Sequence, residues 1–69
     1  MVEVFKTNVL KKQHAKTMIE MLSKHFPDSK INFDLSDCDK ILRVEGENIQ
    51  PEKIIKLLNR TQFECEVLA

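Results

Sequence analysis

INFDLSDCDKILRVE, residues Ile31–Glu45, decides the fold. Ile31, Phe33 and Leu35 alternate with Asn32, Asp34 and Ser36, the period of a strand with one face buried. Ser36-Asp37-Cys38-Asp39 has the composition of a turn. Ile41–Glu45 then resumes as a strand, with Leu42 and Val44 on one face, and Gly46-Glu47-Asn48 breaks it.

Both flanks of this hairpin read as helices. Upstream, from Lys11 to Phe26, the apolar positions are Ala15, Met18, Ile19, Met21, Leu22 and Phe26. Spacings of three, four and seven put most of them on one helical face, and Pro27-Asp28-Ser29 ends the run. Downstream, Pro51 suits the first position of a second helix whose stripe is Ile54, Ile55, Leu57 and Leu58. Gln50 is a poor cap, but Ile49 and Ile54 stand at the two ends of a hydrophobic staple. Thr61-Gln62 closes this helix. Val2–Val9 at one end of the chain and Phe63–Val67 at the other read as strands.

The order β-α-β-β-α-β predicts an α+β, ferredoxin-like fold. Two helices cover one face of a four-stranded antiparallel sheet in the order 4-1-3-2. Following the chain up and down this topology brings three connections to one end, here the upper rim: Leu10–Gln13, Asp37-Cys38-Asp39, and Thr61-Gln62.

The chain has 69 residues and a mass of 8.1 kDa, so residues 1–69 form a single domain with a small core. Eleven basic residues balance eleven acidic ones. No net field draws this protein to nucleic acid or to an anionic membrane. The apolar runs stop at two or three residues, as at Met21-Leu22 and Val67-Leu68-Ala69, far short of a membrane span. The start of the chain lacks the pattern of a signal peptide. Two cysteines without a CxxC pair read as reduced thiols, and the expected location is cytoplasmic.

From Phe5-Lys6-Thr7-Asn8-Val9 onward the sequence resembles the heavy-metal-associated domain, the small module of copper chaperones and metal-pumping ATPases. The likeness runs the whole length. Val9 stands where that family's buried Met usually precedes the metal loop, and Ala15, Met18 and Leu22 match its first-helix core. Gly46-Glu47-Asn48 followed by Pro51-Glu52-Lys53-Ile54 resembles its approach to the second helix. Phe63-Glu64-Cys65-Glu66-Val67-Leu68 looks like its final strand. Aligned on these positions without gaps, the two metal-loop cysteines of the family fall on Lys11 and His14. The CxxC loop is therefore degenerate. A protonated lysine repels a cation rather than binding it, so the family's metal role does not carry over.

What the resemblance implies is a non-enzymatic binding module that acts through protein–protein contacts, without cofactor. Lys11, Lys12 and Lys16 crowd the start of the first helix, where cations oppose the helix macrodipole. An acidic face of a partner would relieve that conflict. The resemblance also turns Phe5 and Val9 toward the helices. Val2 and Val4 are then left on the open sheet face near Leu68, a patch fit for a partner or a second copy. The opposite register buries Val2 and Val4 and exposes Phe5.

The alternative is a carrier of a transition metal such as copper or zinc, held by His14 and Cys38 with Asp37 or Asp39. His25, near the lower end, is a weaker candidate with no Cys or second His close to it in sequence. A reactive thiol needs cationic surroundings, and carboxylates flank Cys38 instead. Cys65, between Glu64 and Glu66, reads as a small core hydrophobe. RNA stacking would need aromatic residues on the central strands, and Lys40–Glu45 has none. No Gly-rich phosphate loop, Ser-His-Asp set or carboxylate pair points to an enzyme.

Overall fold

The computed structural model describes residues 1–68; Ala69, the last residue of the expected domain, lies outside them. The elements run β1 (Val2–Thr7), α1 (Lys12–His25), β2 (Lys30–Asp34), β3 (Ile41–Glu45), α2 (Pro51–Arg60) and β4 (Cys65–Val67). The fold is α+β. The strands form one open antiparallel sheet in the order β2-β3-β1-β4, the expected order read from the other edge.

Register places the core. Phe5 pairs with Leu42, and Phe33 with the same Leu42, while Ile31 pairs with Val44. Residues directly opposite in a ladder share a face, so these side chains line one side of the sheet. Met18 and Leu22 of α1 and Ile54 and Leu58 of α2 complete the same cluster. Phe5 and Val9 are fully buried, which decides the register of β1. Val2 is exposed on the open face, and Leu68 donates its backbone N–H to the Val4 carbonyl at 2.9 Å.

Two strands are shorter than the alternation predicts. β1 stops at Thr7 because its hydroxyl takes over the pairing. It donates to the Lys40 carbonyl at 2.6 Å and accepts the Val9 N–H at 3.2 Å. β4 starts at Cys65 rather than Phe63 because Phe63 belongs to the end of α2. Its N–H reaches the Leu58 carbonyl at 3.1 Å, and Gln62 N–H reaches that of Asn59 at 3.0 Å. With Gln62 left-handed at φ 70°, this is a Schellman motif. Val67 follows Phe5 in register but is 43 % exposed, so the inward face of β4 is only partly covered.

Candidate functional site

The upper rim is a tied cluster of three loops. Thr7 binds the β2–β3 turn twice, through its hydroxyl as above and through its N–H to the Asp39 carbonyl at 3.1 Å. Asn8 Oδ1 accepts the Glu64 N–H at 2.8 Å and so joins the β1–α1 connection to the start of β4. The Thr61 hydroxyl donates to the Leu58 carbonyl at 2.7 Å and lies 3.3 Å from Met18 Sδ.

The β2–β3 turn is built by its own side chains. Asp34 Oδ1 accepts from the Ser36 N–H at 3.2 Å and the Ser36 hydroxyl at 2.6 Å. The Ser36 hydroxyl bond holds the Asp34 carboxyl below the usual carboxylate range. Asp37 Oδ1 accepts the Asp39 N–H at 2.9 Å, an Asx turn. Lys40 takes a left-handed backbone at φ 48°, and its ammonium donates to the Leu35 carbonyl at 2.9 Å. Lys6 Nζ stands 4.0 Å from Asp39 Oδ1; both are solvated, so this pair adds little.

This turn holds Asp37, Cys38 and Asp39 with ligand atoms within 4.8 Å of one another. His14 is not part of that group. Its ring packs on Phe63, with centroids 5.5 Å apart. The alternative donor set of His14 and Cys38 with Asp37 or Asp39 is therefore not gathered into one cluster: the imidazole packs on Phe63 instead. His25, at the other end of α1, donates Nδ1–H to the Met21 carbonyl at 3.0 Å.

The lysines are placed as the sequence predicts. Lys11 is the N-cap of α1 with extended backbone and, among the described residues, no side-chain cap; the first turn holds no acidic residue. Lys11, Lys12 and Lys16 are exposed, and Leu10 beside them is 70 % exposed. The free N–H groups and the positive dipole end of α1 thus carry Lys11 and Lys12 at the cap and first turn, with Lys16 one turn on and Leu10 alongside.

Cys65 is half-buried against the core, and this burial, reinforced by the Glu66 carboxylate, pushes its thiol up to about 12. Cys38 is exposed. The two thiols are unbonded: Cys38 lies on the β2–β3 turn and Cys65 on the edge strand β4.

A second cationic surface escaped the sequence reading. Lys53, Lys56 and Arg60 of α2 line a cleft with His25, over Phe26 and Leu57. Their spacing of three and four was the available signal, but only tertiary packing brings α1's last turn beside them.

The chain matches no family model, and comparison with curated proteins and with solved structures finds no similar chain.

Proposed function

We propose that this chain is a small non-enzymatic docking module of ferredoxin-like topology, working in the cytoplasm. Its scaffold resembles the heavy-metal-associated domain with the cysteine pair replaced by Lys11 and His14. It binds an acidic surface of another protein through its upper rim. One observation carries the reading: an uncapped helix start with three exposed lysines and an exposed leucine. That arrangement costs stability in the free protein, and a carboxylate-bearing partner reverses the sign of the interaction. Leu10 supplies the apolar contact that a purely electrostatic encounter lacks.

Affinity capture from cell extract with the wild-type chain and the Lys11→Glu/Lys12→Glu/Lys16→Glu variant tests the proposal. A partner retained at low salt, released at high salt and absent from the folded triple variant supports it. Equal capture by both chains rejects the rim. Titration with Cu(I), Zn(II) and Ni(II) addresses the carrier reading: tight one-to-one binding lost in His14→Ala or Cys38→Ser replaces docking with metal transport.

A further inference from the structure

Two strands end the sheet, β4 on one side and β2 on the other. β4 is blunted as edge strands usually are. It has three residues, and pairing it with itself would set two Glu66 carboxylates face to face. β2 carries none of these devices. It has five residues, no proline, and an unbroken register with β3 from Lys30 to Asp34.

The ladder identifies which backbone groups of β2 are free. Gly46 donates its N–H to the Met1 carbonyl at 3.0 Å, so Met1 and Gly46 are a hydrogen-bonded pair. Alternation along the antiparallel ladder then turns Leu42 and Val44 of β3 toward β1, and Ile41, Arg43 and Glu45 toward β2. Lys30, Asn32 and Asp34 answer them from β2. The N–H and C=O groups of Ile31 and Phe33 therefore point out of the sheet edge.

We infer that β2 pairs antiparallel with β2 of a second copy about a two-fold axis through Asn32, joining two sheets into one. KINFD is complementary to its own reverse. Lys30 stands opposite Asp34 of the second copy, Ile31 opposite Phe33, and Asn32 opposite Asn32. Ile31 and Phe33 exchange both backbone hydrogen bonds across the axis, twice by symmetry. Two opposite-charge pairs form on the open face, where Lys30 already faces Glu45 of its own β3. The apolar pairs form on the helix face, beside a groove lined by Ala15, Ile19, Phe33 and Leu35 and by Lys12 and Lys16 of α1. Shifting the register one step either way sets Lys30 opposite Asn32 or Ser36 and loses both ion pairs. The occupant is thus a second copy, chosen by charge complementarity in a single register. This surface adjoins the upper rim at Asp34 and at the groove that Lys12 and Lys16 line, but the pairing uses the backbone edge of β2 and stands whether or not the rim docks a protein.

Analytical ultracentrifugation of the full chain at low salt, up to about 1 mM, tests it. The expected mass rises with concentration from 8.1 kDa toward twice that value. Lys30→Glu and Asp34→Lys each weaken association about tenfold or more, and an equimolar mixture of the two restores it as a heterodimer. The Asn32 pair is a narrow, non-hydrogen-bonded one with Cα atoms about 4.5 Å apart, within disulfide reach. Asn32→Cys in a Cys38→Ser background accordingly oxidises to a covalent dimer, whereas Lys6→Cys in the same background does not. A mass of 8.1 kDa at every concentration overturns the inference. So does a dimer indifferent to Lys30→Glu and not trapped by Asn32→Cys, two variants that leave the Asp34 turn intact.

Discussion

Two residues show how chemistry and packing are joined in so small a chain. Cys65 is a thiol used as a hydrophobe: burial keeps it neutral, and its pKa is raised from 9.0 to about 12. A group raised in the folded state contributes stability that is complete below its unfolded pKa and is lost as pH rises through the folded value. Thermal stability should therefore fall between pH 9.0 and about 12, and less so in Cys65→Ala. At pH 8 an alkylating reagent should modify Cys38, which is exposed, and reach Cys65 only on unfolding; mass spectrometry of the modified chain reads both sites. Thr7, 7 % exposed, is the other case. Thr7→Val keeps the shape and strands the buried Val9 N–H, an expected cost of about 1–3 kcal/mol seen as a lower Tm. The alternation of β1 marks position 7 as inward-facing, but the partner of its hydroxyl lies 33 residues away, and no local pattern announces it.

At the scale of elements, the helix ends differ in quality. α2 ends on a Schellman motif, and α1 ends with Lys24 and His25 where cations favour the dipole. The start of α1 is the exception. Lys11→Ser should stabilise the chain by about 0.5–2 kcal/mol, measured by urea unfolding, while weakening capture of an acidic partner. A substitution that raises stability and lowers docking separates a functional start from a merely poor one. The conflict was legible in the sequence, because helix starts have known preferences. The relation of His14 to Cys38 was not. Both lie at the upper rim by topology, but the direction of the imidazole depends on Phe63, an aromatic at the far end of the chain.

At the scale of the whole molecule, a single layer of core holds everything. Phe5, Leu22, Leu42, Ile54 and Leu58 are fully buried, and they come from both helices and both central strands. A domain of this length is stable by roughly 3–10 kcal/mol, and removing a buried phenyl ring costs about 3–5. Phe5→Ala should leave the chain largely unfolded at 37 °C, with loss of the cooperative thermal transition by circular dichroism. Self-pairing through β2 would add stability at high concentration, because association favours the folded state by mass action.

Periodicity alone determined the element order, the helical stripes and the inward face of β2 and β3, because a period of two or 3.6 in apolar residues is a local consequence of burying one side of a strand or helix. Tertiary structure decided where β1 and β4 stop, which way His14 turns, that Lys53, Lys56 and Arg60 share a cleft with His25, and which backbone groups of β2 are left free. Each of these depends on a contact between residues distant in the chain. The energy of such a contact is settled by three-dimensional neighbours, which the spacing of residues along a sequence does not encode.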